Sequence, residues 1–315
     1  MIDKILDKIK AANSIIVIGH VSPDGDCLGC QFGLKEIIKE NFKKEVYAVG
    51  ESSTSLAFMG MLDDIDDSIF KRSLVVLTDV ANEARIADKR YSLASDIVKI
   101  DHHPYSDNTG SAVYVDTSVS SASEIIARIA MEYNLKVNKI AANSLLTGII
   151  TDSGGFRYDG VNPNTFKIAS FLMEMGANPV ELNKKISTVT FNELKIKGYV
   201  IENMKQTKEG FVYCYISKET RAKYNVIYEE ASNAIDVLSN IKDCPIWALI
   251  LEIDNELRVR LRSSGPVINT LANKYRGGGH PLASGCYLNN ENEIETFAKD
   301  ADEYIINYKH TMNNR

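Results

Sequence analysis

Apolar, β-branched runs alternate with helical patterns over about the first 180 residues. The runs are apolar throughout rather than at every second position, which is typical of parallel strands that are covered on both faces. Between and after these runs, apolar residues recur with helical spacing. The predicted strands are SIIVIGH (14–20), EVYAVG (45–50), SLVVLTD (73–79), DIVKID (96–101) and AVYVD (112–116). We therefore predict an α/β domain built on a parallel sheet with helices on both faces.

The pattern changes beyond Pro179, where a charged, helix-like stretch begins. It is followed by FVYCYIS, WALILEI and ELRVRLRSS, which read as strands with polar alternation and few crossover helices between them. This pattern favours a smaller α/β domain with a mixed sheet. We predict a first domain over residues 1–184, a helical linker over 185–205 and a second domain over 206–315.

Acidic and histidine residues follow four of the predicted elements. The carboxyl ends of parallel strands lie at one edge of a sheet, where such folds bind ligands. A single aspartate at a strand end is usually a turn or helix cap. Here four separate elements are followed by aspartate or histidine, and these residues include three of the five histidines. Together they indicate a metal site. The residues are His20, Asp24, Asp26, Asp79, Asp101, His102, His103 and Asp152.

The ligand types narrow the choice of metal. Carboxylates and imidazoles without a thiolate suit Mn²⁺, with Mg²⁺ or Co²⁺ as alternatives, and suit a structural zinc poorly. If six of these eight residues ligate metal, they are too many for one ion that keeps open positions, but they fit two ions that share a bridge. Two ions roughly 3.5–4 Å apart can activate a water for attack on phosphorus. The sequence therefore predicts a binuclear phosphoesterase site.

Composition, charge and segment lengths argue against several other classes of protein. The 315 residues carry a net charge of −6, which argues against binding along a long nucleic acid. No apolar run approaches the roughly 18 residues of a membrane span, and the charged N-terminus does not fit a signal peptide. We therefore expect a cytoplasmic enzyme with no membrane partner. Cys27 and Cys30 form a C-x-x-C that allows a redox or zinc interpretation, although we favour two small residues packed on one helix face.

The segments GHVSPDGDCLG, LTD, DHHP and TDSGGF resemble, in this order, the four motifs of the DHH phosphoesterases. GGGHPLASG resembles the signature of the DHHA1 domain that accompanies them, so the resemblance extends from residue 19 to 285. Within the family the chain is most similar to the nanoRNase A type. That resemblance implies Mn²⁺-dependent hydrolysis of short oligoribonucleotides to 5′-mononucleotides and of 3′-phosphoadenosine 5′-phosphate (pAp) to AMP, in a cleft between the two domains.

The resemblance also implies a role for each site residue. Asp79 would bridge two metals, and Asp101 would fix the orientation of His102. His103 would face the substrate phosphate, so His103 and Asp101 are the expected catalytic pair. The expected ligands are His20, Asp24 and Asp79 for one metal, and Asp26, Asp79, His102 and Asp152 for the other. The expected substrate-binding residues are Arg262, Ser263, Ser264, Gly277, Gly278, Gly279 and His280.

Three other functions stay open at this point. A cyclic-dinucleotide or pApA phosphodiesterase that turns over c-di-AMP would have the same architecture. A nucleotide-binding regulator without catalysis is disfavoured because every expected ligand position is filled, and a pyrophosphatase is disfavoured by the GGGH segment. The expected partners are short RNA oligonucleotides and mononucleotide bisphosphates, and a homodimer is compatible with the sequence.

Overall fold

The computed structural model describes residues 1–104, 107, 109–158, 160–254 and 256–313. The chain divides into two compact units, Met1–Thr188 and Val189–Arg315. This division falls within the stretch that the sequence assigns to a linker, and the extent of that linker stays a prediction. In the described part of the chain, no helix combines the length and the apolar character that crossing a membrane requires.

The first unit contains a five-stranded parallel sheet in the order β2-β1-β3-β4-β5. Its strands are β1 (Ser14–Ile18), β2 (Glu45–Val49), β3 (Leu74–Thr78), β4 (Asp96–Asp101) and β5 (Ala112–Val115). Each strand lies within the corresponding predicted run, so the predicted parallel sheet is confirmed. The strand order reverses between β1 and β3, which is where sheets of this kind bind ligands beyond their carboxyl ends.

Helical segments cover both faces of this sheet, as predicted. The α-helices are α1 (Ile2–Ala11), α2 (Gly25–Phe42), α3 (Asp67–Arg72), α4 (Ala122–Glu132), α5 (Lys139–Asp152), α6 (Pro163–Glu174) and α7 (Pro179–Ser187). Short 3₁₀ helices span Ala57–Met59, Glu83–Arg85 and Lys89–Leu93. Ile15 and Val17 pack with residues of α1, α2, α4 and α5, whereas Ile16 and Ile18 pack with Phe70 of α3. Because both faces of β1 are buried, its sequence is apolar throughout.

Helices α2 and α5 approach each other closely at glycine positions. A Cβ at Gly29 of α2 would lie only 2.7 Å from the carbonyl oxygen of Ser144 in α5. A Cβ at Gly25 would lie 2.3 Å from Oγ1 of Thr151. The close approach places the N-terminus of α2, which contains Asp26, beside the C-terminus of α5, which ends at Asp152.

The second unit contains a six-stranded mixed sheet in the order β10-β11-β9-β8-β7-β6. Its strands are β6 (Lys205–Gln206), β7 (Phe211–Ile216), β8 (Ile246–Ile253), β9 (Glu256–Ser263), β10 (Gly278–Gly279) and β11 (Ala283–Leu288). Its helices are α8 (Phe191–Asn203), α9 (Lys218–Tyr224), α10 (Tyr228–Ser232), α11 (Asn269–Lys274) and α12 (Asn292–Asn313), with a 3₁₀ helix at Asn233–Leu238. Strands β7 and β8 are parallel and the other described pairs are antiparallel, which confirms the predicted mixed sheet.

Replacing Gly29 with alanine tests the close packing of α2 on α5. We expect Gly29→Ala to lower the free energy of unfolding by about 1–3 kcal/mol, because the backbone of α5 must move to admit the methyl group. The measurement is the midpoint of urea unfolding, followed by circular dichroism. The matched control is Gly198→Ala in α8, where no atom lies within 4 Å of the new Cβ. That change should stabilise its helix by up to about 1 kcal/mol, and equal effects of the two changes would contradict this packing account.

Candidate metal centre

The sheet and two helix ends bring the predicted metal ligands to one edge of the first unit. Asp79 directly follows β3, and His102 directly follows β4. His20 lies two residues beyond β1, and Asp152 is the last residue of α5. Asp24 is the N-cap of α2, and Asp26 is the second residue of that helix. His20, Asp79 and His102 come together because the carboxyl ends of parallel strands all lie at this edge of the sheet.

Asp79 lies at the centre of this cluster. Its Oδ2 is 3.4 Å from Nε2 of His20, and its Oδ1 is 3.4 Å from both Nε2 of His102 and Nδ1 of His103. The side chain is only 2% exposed, and Oδ1 accepts no hydrogen bond from the described residues. The φ of Asp79 is 55°, a left-handed conformation that is uncommon outside glycine and often marks a functional site.

The two oxygens of Asp79 face two different groups of ligand atoms. On the Oδ2 side, Nε2 of His20 lies 3.7 Å from Oδ2 of Asp24. On the Oδ1 side, Nε2 of His102 lies 3.4 Å from Oδ2 of Asp152 and 4.0 Å from Oδ2 of Asp26.

These separations fit cation ligands better than they fit direct hydrogen bonds. Ligand atoms at about 2.1 Å from one cation, at tetrahedral or octahedral angles, lie roughly 3.0–3.5 Å apart. An N–H···O hydrogen bond is usually about 2.7–3.2 Å long. Among the described residues, three groups are able to hold a metal ion: His20–Cys27–Asp79, Asp79–His102–His103 and Asp26–His102–Asp152. The first lies on the Oδ2 side of Asp79, and the other two share His102 on the Oδ1 side. The residues present therefore fit divalent cations on the two sides of Asp79.

Backbone groups fix the orientation of His20. The carbonyl oxygen of Val21 lies 2.9 Å from Nδ1 of His20, and it also accepts a hydrogen bond from Nη2 of Arg85 at 3.2 Å. In the tautomer whose proton is on Nδ1, this nitrogen donates to the carbonyl of Val21. The lone pair of a neutral His20 is then on Nε2, which faces Asp24 and Asp79. This tautomer is the one that a metal ligand needs.

Asp24 and Asp26 are held by helix N-termini. Oδ1 of Asp24 accepts hydrogen bonds from the N–H groups of Asp26 and Cys27, so this residue caps α2 while its Oδ2 faces His20. Asp26 is fully buried, and its carboxylate accepts hydrogen bonds from the N–H groups of Ala122 at 2.6 Å and Ser123 at 2.8 Å. The N-terminus of α4 therefore stabilises the charge of Asp26.

The carboxylates of the cluster create a negative potential that shifts the pKa values of their neighbours. Burial alone would lower the pKa of His20, but the neighbouring carboxylates of Asp24 and Asp79 raise it to about 11. The same balance raises the pKa of His102 to about 10. Burial, followed by the charge of Asp79, raises the pKa of Asp26 to about 7, and burial with three neighbouring aspartates raises that of Asp152 well above its usual value. The site therefore attracts cations.

Comparison with known proteins assigns the family. Residues 14–149 match the model described as DHH family, N-terminal domain, and residues 208–307 match the DHHA1 domain. The chain is 37% identical to the bifunctional oligoribonuclease and PAP phosphatase NrnA of Bacillus subtilis, over 95% of this chain and 97% of that protein. This chain belongs to the DHH phosphoesterase family.

Two further proteins support this assignment. The chain is 40% identical to the probable bifunctional oligoribonuclease and PAP phosphatase NrnA of Streptococcus mutans, over 92% of this chain and 94% of that protein. An exopolyphosphatase-related protein from Bacteroides fragilis has a similar solved structure, with a TM-score of 0.89 and 26% identity over 99% of this chain and 97% of that one. The resemblance seen in the sequence motifs is therefore confirmed at the level of the family.

Within the DHH motif, Asp101 contacts a different histidine ring from the one that we expected. We expected Asp101 to fix the ring of His102, and this is wrong. Oδ1 of Asp101 instead accepts a hydrogen bond from Nδ1 of His103 at 2.7 Å, together with the backbone N–H groups of His102 at 2.8 Å and His103 at 3.2 Å. The backbone turns directly after β4, which brings the second imidazole rather than the first over the carboxylate. Asp101 therefore orients His103.

Cys27 and Cys30 pack beneath the DHH site as buried thiols of α2. Sγ of Cys27 accepts the backbone N–H of His20 at 3.3 Å, and Sγ of Cys30 lies 3.4 Å from Oγ of Ser123. Burial is the largest of the effects that raise the pKa of both thiols well above the usual value. Both thiols are buried in α2, as the packing interpretation predicts, and Cys27 also belongs with His20 and Asp79 to one of the groups able to hold a metal ion.

The DHHA1 unit brings its predicted substrate-binding residues into adjacent strands. Arg262 of β9 pairs with Ala283 of β11, and β10 pairs with β11 through Gly278 and Gly279. The hairpin that contains His280 is therefore beside β9, which ends in Arg262 and Ser263 and is followed by Ser264. Oγ of Ser263 accepts the N–H of Gly265 at 3.1 Å, and the N–H of Ser264 donates to the carbonyl of Pro245 at 2.9 Å.

Packing requires glycine at only two of the three glycine positions of this hairpin. A Cβ at Gly277 would lie 2.1 Å from the carbonyl oxygen of Gly285, and one at Gly279 would lie 2.7 Å from that of Ala283. Packing within the hairpin explains these two positions. At Gly278 the nearest atom would be 3.4 Å away, on the side chain of Asn273. Packing within the hairpin therefore does not explain the glycine at position 278.

Two residues near the metal centre were missed by sequence reasoning. Arg85 lies in a 3₁₀ helix, and its guanidinium contacts both Nδ1 of His20 at 3.2 Å and the carbonyl of Val21. Lys99 is buried within β4, with Nζ 3.4 Å from Oδ2 of Asp101. Lys99 had a visible signal, because it is a charged residue between the apolar residues Val98 and Ile100. Arg85 had none, because its contact with His20 joins segments that are 65 residues apart.

Proposed function

We propose that this chain is a divalent-metal-dependent phosphoesterase that hydrolyses short oligoribonucleotides to 5′-mononucleotides and pAp to AMP. The observation that carries this proposal is the position of Asp79, whose two oxygens face two separate groups of ligand atoms. The names of the relatives from B. subtilis and S. mutans support the choice of substrates.

The proposed metal ligands are those predicted from the sequence. His20, Asp24 and Oδ2 of Asp79 would hold one cation, and Oδ1 of Asp79 with three further side chains would hold the other. Those three are Asp26, His102 and Asp152. When bound, two such cations supply an activated water and neutralise charge on the phosphoryl oxygens. We propose Mn²⁺, because carboxylate and imidazole ligands suit it, with Mg²⁺ or Co²⁺ as alternatives.

His103 is the proposed contact to the substrate phosphate. Its Nδ1–H donates to Asp101, so Nε2 is the nitrogen that we propose to face a phosphoryl oxygen. When Nε2 carries a proton as well, the ring is an imidazolium, and Nε2–H stabilises the negative charge that develops on the phosphoryl group. Oligonucleotide cleavage to 5′-mononucleotides and removal of the 3′-phosphate from pAp both expel a ribose 3′-oxygen. One site with one leaving group therefore accounts for both activities.

The second unit is proposed to bind the substrate through Arg262, Ser263, Ser264, the Gly277–Gly279 segment and His280. The pairing of β9 and β10 with β11, which brings most of these residues near one another, supports this role. Basic side chains farther along the chain are partly neutralised, because Arg276 pairs with Glu256 at 2.7 Å and Nζ of Lys274 lies 3.9 Å from Asp300. Lys274 and Arg276 are therefore less available to bind a polyanion. A cytoplasmic location and a homodimeric state stay predictions.

A substrate panel tests the proposed function directly. Purified protein with Mn²⁺ is incubated with pAp, pApA, c-di-AMP and a trinucleotide RNA, and the values of kcat/KM are compared. We expect pAp and the RNA to be the preferred substrates. Preference for c-di-AMP or pApA would indicate a cyclic-dinucleotide or pApA phosphodiesterase instead. Turnover of none of the four would contradict the proposed function.

Replacing the proposed bridge gives a second test. We expect Asp79→Asn to lower the Mn²⁺-dependent rate by at least about a thousandfold, because an amide cannot neutralise two cations as a carboxylate does. The fold should persist, since asparagine tolerates the left-handed φ of 55° at this position. The matched control is Asp96→Asn, at the opposite end of β4 in an ion pair with Lys8. If Asp79→Asn stays within tenfold of the parent at saturating Mn²⁺, Asp79 is not the bridge.

Substrate length gives a third test. Because affinity for long nucleic acids comes mainly from many phosphate contacts, a chain of net charge −6 gains little from each added nucleotide. We expect kcat/KM to be highest for RNA of two to about five nucleotides and to decline with length. The measurement uses a ladder of 5′-labelled oligoribonucleotides up to about 24 residues at fixed ionic strength. Equal efficiency on a trimer and a 24-mer would point to a processive exonuclease.

A further inference from the structure

A buried lysine lies below the DHH motif. Lys99 is only 2% exposed, and its neighbours in the sheet are Leu77 of β3 and Val113 of β5. Removing an ammonium group from water costs several kcal/mol unless it is paired. An apolar residue would be the ordinary choice at such a position, so the lysine requires a reason.

Three oxygen atoms surround the ammonium group of Lys99. Nζ lies 3.4 Å from Oδ2 of Asp101, 3.5 Å from Oδ1 of Asp107 and 3.4 Å from the carbonyl oxygen of Ala81. Ala81 lies two residues beyond Asp79, and Asp107 lies four residues beyond His103. Asp107 is itself held, since it accepts the backbone N–H of Glu83 at 2.7 Å. These contacts fix Lys99 in one place.

The carboxylate of Asp101 divides its two oxygens between Lys99 and the histidines. Oδ2 faces Lys99, whereas Oδ1 accepts the ring N–H of His103 and two backbone N–H groups. Asp101 is 1% exposed, so water cannot replace a lost partner at Oδ2. A continuous path therefore connects Lys99 in the core of the sheet, through Asp101, to the ring of His103.

We propose that Lys99 is a positioning residue for phosphoester hydrolysis, an inference that rests on the proposed function. Its ammonium holds the carboxylate of Asp101 at Oδ2, and Asp101 in turn holds the ring of His103 at Nδ1. Without the ammonium, a buried carboxylate oxygen has lost its counter-charge and the carboxylate must rotate or move. The ring of His103 then loses the direction in which it faces the substrate. Lys99 itself touches no substrate.

The test compares Lys99→Met with a matched control. Methionine keeps the length and most of the volume of the side chain while removing its charge. We expect kcat for pAp to fall about 10- to 100-fold, as for other groups that orient a site residue from behind. KM and the Mn²⁺ concentration for half-maximal activity should stay within about twofold. The control, Lys35→Met, removes another partly buried ion pair of the first unit, that with Asp63, and should leave kcat unchanged.

A double-mutant cycle separates positioning from a general loss of structure. In a His103→Ala background, Lys99→Met should change kcat less than about twofold, because its effect requires the histidine ring. An unchanged kcat in the single variant would overturn the proposal. An equal loss with and without His103 would also overturn it, as would a loss that excess Mn²⁺ restores. If Lys99→Met fails to fold, Lys99→Gln is measured in its place, since it keeps an N–H donor and should retain more of the rate.

Imidazole NMR provides a readout that is independent of activity. In ¹⁵N-labelled protein, the Nδ1–H resonance of His103 should move upfield in Lys99→Met, because its hydrogen bond to Asp101 weakens, and should not move in Lys35→Met. An unmoved resonance would overturn the link from Lys99 to His103. A wild-type protein inactive on the whole substrate panel would contradict the proposed function, while a moved resonance in that protein would still support the link.

Discussion

Negative charge concentrated around Asp79 is the constraint on which the rest of the first unit depends. Two unit charges 4 Å apart interact by about 4 kcal/mol at an effective dielectric near 20, so several buried carboxylates in one place are strongly unfavourable without compensation. The described residues offset part of this cost with three imidazoles and with N–H groups from α4. The remaining charge makes the site a strong attractor for divalent cations.

The scaffold is built to hold that charge in place. The sheet delivers Asp79 at the point where the strand order reverses, and its left-handed φ of 55° sets the direction of the carboxylate. Close glycine packing keeps α2 against α5, which brings Asp26 and Asp152 towards His102. Lys99 then supplies a positive charge to Oδ2 of Asp101, while His103 contacts the other oxygen of that carboxylate. Stability is given up locally so that the ligand atoms are arranged before any cation arrives.

Much of this arrangement could be predicted from the sequence, and the limits have physical reasons. All five parallel strands were predictable because apolar runs buried on both faces are distinctive, and the convergence of Asp79 and His102 follows from a rule about strand ends. The partner of Asp101 was not predictable, since it depends on how the backbone turns after β4. Arg85 was missed because its contact with His20 is long-range. Local patterns specify elements, whereas ring orientations and distant pairs depend on tertiary packing.

Anomalous diffraction from crystals of the Mn²⁺-loaded protein tests the central claim most directly. The account predicts two manganese peaks roughly 3.5–4 Å apart. One peak should lie beside Oδ2 of Asp79 with His20, and the other beside Oδ1 of Asp79 with His102. A single peak at full occupancy, or two peaks that do not share Asp79, would contradict the view that this carboxylate bridges two cations.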